Sequence, residues 1–156
     1  MPDEDFTSAG LEDAARRGRV ADWVAAFLAS AGSDNPELAD ALTRRCAVWV
    51  GPVRLPLDEL HRLAGGEGTP ALVEIDDEAW APRVEDMAEK ARHGWEPPPL
   101  VVTYRHHQLV LADGNHRAEA LRRAGSDQTW CVVGFDDPAA HREYLDAGWP
   151  RPEDVA

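Results

Sequence analysis

Apolar residues in the first third of the chain recur every three or four positions. Leu11, Ala14, Ala15, Val20, Trp23, Val24, Phe27 and Leu28 form such a series, the spacing that gathers side chains on one face of an α-helix. Gly18 falls inside it and predicts a split into two helices. Residues 1 to 9 read as a frayed end. The segment AGSDNP is a break. Asp34 or Asn35 can cap a third helix, Pro36 suits its first turn, and Leu38, Ala41, Leu42 and Cys46 form its apolar stripe.

After about residue 48 the period changes. VRLPLDELHRL predicts a short strand over Val53 to Leu55, leading into a helical turn through Leu60 and Leu63. AGGEGTP has the composition of a loop, and ALVEI that of a strand. Asp76 or Asp77 can cap a helix whose buried face is Trp80, Val84, Met87, Ala88 and Ala91, closed by Gly94. Pro97, Pro98 and Pro99 exclude helix and interior sheet. LVVTYRHHQLVLA reads as two strands joined at Arg105-His106-His107. A helix through Ala118, Ala120, Leu121 and Ala124 ends at Gly125, TWCVVGF is a strand, and Asp137-Pro138 opens a last helix to about Leu145. This gives an α+β fold: residues 1–48 a helical N-terminal extension, 49–137 a small mixed β-sheet domain, 138–156 a C-terminal helix and tail.

Composition narrows the function. The 156 residues carry 16 Lys and Arg against 29 Asp and Glu, a formal charge of −13. A balance this acidic repels long polyanions and argues against direct contact with DNA. At 44% hydrophobic the chain can build a core of one-domain size. No apolar run approaches the roughly 18 residues of a membrane span, and MPDEDFTSAG lacks the pattern of a secretion leader. The cytoplasm is the expected compartment. Cys46 and Cys131, far apart in apolar surroundings, read as buried free thiols.

Against this background one junction is unusual. The apolar run Leu109 to Ala112 stops at Asp113-Gly114-Asn115-His116-Arg117, and a helix pattern follows at once. A helix that starts straight after a strand presents unpaired N–H groups and the positive end of its dipole. Gly114 would let a ligand approach the main chain. His116 and Arg117 add donors, and Arg forks onto phosphate oxygens. Residues 100 to 125 hold Arg105, Arg117, Arg122 and Arg123 against Asp113 and Glu119, a basic island suited to a compact anion. The competing reading is a plain corner: Asp113 or Asn115 the cap, Gly114 the tight turn, Arg117 a solvated charge.

The order of these segments resembles the ParB/sulfiredoxin-like superfamily. Pro98-Pro99-Leu100-Val101-Val102, then Leu111 to Leu121 with the Asp-Gly-Asn-His-Arg motif, then Gly125, carry the likeness, with VRLPLDEL upstream and TWCVVGF downstream. It covers about residues 53 to 135. The resemblance implies nucleotide phosphates held by Gly114, Asn115, His116 and Arg117. Sulfiredoxins have a reactive Cys where this chain has Asn115, and Asn cannot perform that attack. The Gly-Glu-Arg-Arg box of partition proteins is missing. Free-serine kinases, with Asp-Gly-His-His-Arg, differ from residues 113–117 at one position and form the nearest branch. The superfamily implies a nucleotide, ATP or ADP with CTP also open, and phosphoryl transfer to a small-molecule acceptor would call for Mg²⁺. Its kinase-like members imply a catalytic acid among Glu74, Asp76, Asp77 and Glu78, with Asp113 as a second candidate. N-capping and dipole compensation are the alternative roles for these acids.

His106 and His107 fall at a hairpin tip with no third ligand at metal spacing. Gly65 to Thr69 lacks the Lys of a P-loop, and Trp95 could pack on a base. The reading is a Mg²⁺-dependent phosphotransferase or nucleotide hydrolase, for which a homodimer is an open arrangement. Its rivals are a nucleotide-switched regulatory module of partition type and a nuclease.

Overall fold

The structure is a computed structural model that describes residues 7–29, 36–64, 69–72, 81–93, 98–105, 107–113 and 115–150. Three helices come first: α1 (Ser8–Arg16), α2 (Val20–Ala29) and α3 (Pro36–Arg45). Helix α1 starts earlier than the apolar spacing predicts, because the Thr7 side chain caps it by accepting from the Gly10 N–H at 3.2 Å. The α1–α2 corner turns at Gly18, whose φ of +69° suits glycine.

Strands β1 (Val48–Pro56), β2 (Leu60–Ala64), β3 (Thr69–Leu72), β4 (Leu100–Arg105), β5 (Gln108–Asp113) and β6 (Gln128–Phe135) form one sheet. Helices α4 (Ala81–Arg92), α5 (Asn115–Arg123) and α6 (Pro138–Asp146) complete the described elements. The strand order is β1-β6-β4-β5-β2-β3. β1–β6, β4–β5 and β2–β3 pair antiparallel, while β4–β6 and β2–β5 pair parallel. The fold is therefore α+β with a mixed sheet.

The predicted helical turn through Leu60 and Leu63 is a correction. A single 3₁₀ turn, Leu57–Glu59, is followed by strand β2. The Leu spacing of LDELHRL suits a helix, but parallel pairing to β5 and antiparallel pairing to β3 hold this segment extended. Tertiary pairing overrides a weak local preference.

Helices cover both faces of the sheet. On one face Leu100, Val102, Tyr104, Leu109, Leu111, Cys131, Val133 and Phe135 pack with Ala118 and Leu121 of α5 and Tyr144 of α6. On the other, Val101 and Val132 pack with Leu11, Trp23, Val24, Phe27, Leu28 and Leu42 of α1–α3. This is why β4 is buried along almost its whole length instead of alternating. Gly134 leaves room for a close approach: a Cβ there would lie 2.8 Å from the Trp49 ring and 2.9 Å from Cys46 Sγ.

Candidate functional site

Strand β5 is an interior strand, paired to β4 on one side and β2 on the other. Its ladder ends with Asp113 opposite Val101, and α5 begins at Asn115. The chain thus passes from sheet to helix within about one residue, and the first N–H groups of α5 open at the end of the sheet. Helix α5 is well terminated at its other end. The Gly125 N–H donates to Arg122 O at 3.1 Å and the Ser126 N–H to Leu121 O at 2.9 Å, with Gly125 at φ +90°. This is a Schellman closure, which fixes where the helix ends.

The backbone brings Asp113, Asn115, His116 and Arg117 to this one corner. Gly114 lies outside the described residues, as do Glu74, Asp76, Asp77, Glu78, Trp95, His106 and the loop 65–68.

Arg117 is the best-defined side chain of the corner. Its Nη1 donates to the Pro98 carbonyl at 3.3 Å, which ties α5 to the segment entering β4. Its Cζ lies 5.0 Å from the centroid of the Phe27 ring on α2, within cation–π range. Phe27 is itself stacked on Trp23, with centroids 5.5 Å apart and planes 14° apart. Arg117 therefore stands on a helix of one layer and reaches round the end of the sheet to an aromatic pair of the opposite layer. Stacking uses the face of the guanidinium. Oxygen acceptors approach in its plane, so the two kinds of contact are compatible.

The basic island needs revision. Arg122 Nη2 and Arg123 Nε bond Glu119 Oε2 at 2.7 and 2.9 Å, and Arg123 also pairs with Glu85 of α4 at 3.1 Å. Glu119 is only 1% exposed. Arg105 pairs with Asp136. Arg105, Arg122 and Arg123 are thus engaged by carboxylates. Hydrogen bonds donated by Arg123 to Glu119 and then to Glu85 push its pKa further up. These three therefore add little to the positive end of α5, where Arg117 sits in the first turn.

Other candidates have structural partners. His107, at φ +64° in the β4–β5 turn, pairs with Glu143 of α6. His61 Nδ1 lies 3.2 Å from Glu59 O and 3.3 Å from Leu109 O. His93 Nδ1 donates to Glu89 O at 2.8 Å. Among the described residues no group of three His, Cys, Asp or Glu is gathered as a metal site. Cys46 and Cys131 are buried and unpaired by disulfide. Burial pushes the Cys131 thiol far above its ordinary 9.0, opposed only in part by the charge of Arg117. A cleft of about 690 Å³ runs between Gly18 and Val20 of the α1–α2 corner, Trp49 and Gly51 of β1, and His141 of α6. Among the described lining residues Arg117 does not appear.

Sequence reasoning missed Phe27, Pro98 and Glu119. Glu119 carries a signal, since Arg122 and Arg123 follow it by three and four positions, the helical ion-pair spacing. Phe27 carries none, being one apolar residue of a helical stripe.

No family model matches the chain, and no curated protein matches it. Solved structures do. The chain is similar to the C-terminally truncated chromosome-partitioning protein ParB from Caulobacter crescentus, determined in complex with CTP-γ-S. The identity is 18%, over 63% of this chain and 53% of that one, with a TM-score of 0.42. It spans about half of that ParB chain. It is also similar to sulfiredoxin from Arabidopsis thaliana, at 20% identity over 61% of this chain and 97% of that one, with a TM-score of 0.43. These are likenesses of fold and say nothing about the site. No helix among the described residues is long and apolar enough to cross a membrane.

Proposed function

We propose that the β5–α5 corner binds the phosphates of a nucleotide and that the protein uses ATP, ADP or CTP in phosphoryl transfer or hydrolysis. The observation that carries this reading is Arg117: a half-buried guanidinium at the first turn of α5, aligned by Phe27 and Pro98 O. In this reading the amides of Asn115 and His116 and the helix dipole receive phosphate oxygens. Gly114 gives the phosphates close access, and Arg117 forks onto them. His116 adds a donor. Asp113, Glu74 or Asp76 orients the attacking hydroxyl or water. Mg²⁺, when bound with the nucleotide, would neutralise phosphate charge. The acceptor is a small molecule and the compartment the cytoplasm. With the net charge at −13 and Arg105, Arg122 and Arg123 in ion pairs, a nucleic-acid strand is the poorer partner.

A second reading, a nucleotide-switched regulatory module, is favoured by the same Arg117–Phe27 contact, because it joins the corner to the α1–α3 layer. Thin-layer separation of γ- or β-labelled ATP, ADP and CTP, with Mg²⁺ and with or without a pool of amino acids, distinguishes the two. Label in a new organic phosphate means transfer, and label in inorganic phosphate means hydrolysis. Unchanged nucleotide that still binds selects the switch. A protein that neither binds nor turns over any of the three refutes the proposal.

A further inference from the structure

We propose that Phe27 is a positioning residue for Arg117, and that the Trp23–Phe27–Arg117 stack couples occupation of the α5 corner to the N-terminal helical layer. The inference rests on the phosphate-binding reading above and adds the element that regulates it.

Three observations join. Phe27 is 3% exposed and Trp23 is 1% exposed, both fixed in the cluster that α1–α3 build on the sheet. Their rings lie nearly parallel, at 14°. The Arg117 guanidinium lies over the outermost ring of that pair. An arginine side chain loses much rotamer freedom when it grips a ligand. A guanidinium already held against a buried aromatic ring has lost part of that freedom beforehand, which lowers the cost of ordering it on an anion. Phosphate oxygens that pair with the guanidinium offset the charge it presents to the Phe27 ring and so change that contact. That alters the surroundings of Trp23, one helical turn away. Coupling of this kind is reciprocal: whatever shifts α2 changes the affinity of the corner.

The test is calorimetric titration of inorganic pyrophosphate and of ATP into the full chain and five variants: Phe27→Leu, Phe27→Tyr, Arg117→Ala, Phe27→Leu/Arg117→Ala and Trp23→Phe. Phe27→Met replaces Phe27→Leu if a urea midpoint shows the latter unfolded. The expected result is a loss of about 5- to 30-fold in affinity for Phe27→Leu, the range of a cation–π contact and the ordering it provides. Phe27→Tyr, which keeps the ring, retains wild-type affinity. In the Arg117→Ala background Phe27→Leu causes no further loss, because Phe27 acts through Arg117. Trp23→Phe removes most of the ligand-induced change in tryptophan emission, and a full wild-type change in that variant overturns the coupling. Wild-type affinity in Phe27→Leu, or equal loss in Phe27→Tyr, overturns the inference and leaves phosphate binding standing. Failure of the wild-type chain to bind either probe overturns both.

Discussion

At the scale of single residues, the side chains that matter most are those held by unlike partners. Glu119 is almost fully buried and accepts from both Arg122 and Arg123. Replacing it with Gln keeps the shape and removes the charge that the two guanidiniums share. Glu119→Gln should destabilise the fold by about 1–3 kcal/mol, the range for hydrogen bonds to charged groups, in urea unfolding at neutral pH. Cys131 makes a prediction in the opposite pH direction from a carboxylate. Its folded pKa is raised above the ordinary 9.0 by burial, so above that pH the unfolded chain releases a proton that the folded chain keeps. Its contribution is fully present below pH 9 and is lost as pH rises. Stability should therefore fall by about 1.4 kcal/mol per pH unit from this group alone, and Cys131→Ala should remove that share of the slope. Urea unfolding of both proteins between neutral and alkaline pH measures it.

Among the elements, α5 is the one on which the site depends, and its closure is as defined as its start. Gly125 sits at φ +90° with open space where a Cβ would go, so substitution there strains the backbone and clashes with nothing. Gly125→Ala should lower stability by about 1 kcal/mol, read as a shift in the urea midpoint with an unchanged slope. This element was legible in the sequence: the apolar run, the Asp-Gly-Asn break, the Ala and Leu spacing and the closing Gly are all local signals. The α1–α2 split at Gly18 and the Asp137 cap of α6, which accepts from Ala140 N at 2.8 Å, were legible for the same reason. β2 was not, because what makes it a strand is pairing with β5, about fifty residues away. The site divides in the same manner. Arg117 stood out within a five-residue cluster, whereas its partner Phe27 lies in another layer and no local pattern connects them. The basic island misled because a charge count ignores which carboxylates fold back onto the arginines.

Across the whole molecule, the α1–α3 layer and the sheet share one buried cluster in which Val101 and Val132 are fully covered. Neither the helices nor the sheet can bury that surface alone. The chain should therefore unfold in a single step, with far-UV circular dichroism and tryptophan emission following the same curve in urea. Separate transitions would mean that the helical layer is an independent unit. The same arrangement sets Arg117 where the two helical layers meet round the end of the sheet, and it makes the α5 corner a property of the complete fold.

The central claim is that this corner grips phosphate through Arg117. Equilibrium dialysis of labelled ATP, ADP and CTP against the wild-type chain, Arg117→Ala and Arg122→Ala tests it most directly. Arg122 serves as the control, since it carries the same charge on the same helix, in its last turn and away from the corner. The expected outcome is binding of at least one nucleotide by the wild type, a loss of about 10- to 100-fold in Arg117→Ala, as fits the removal of a charge-assisted contact, and a change of only a few-fold in Arg122→Ala. Equal affinity in Arg117→Ala and the wild type, or equal losses in the two variants, would contradict it.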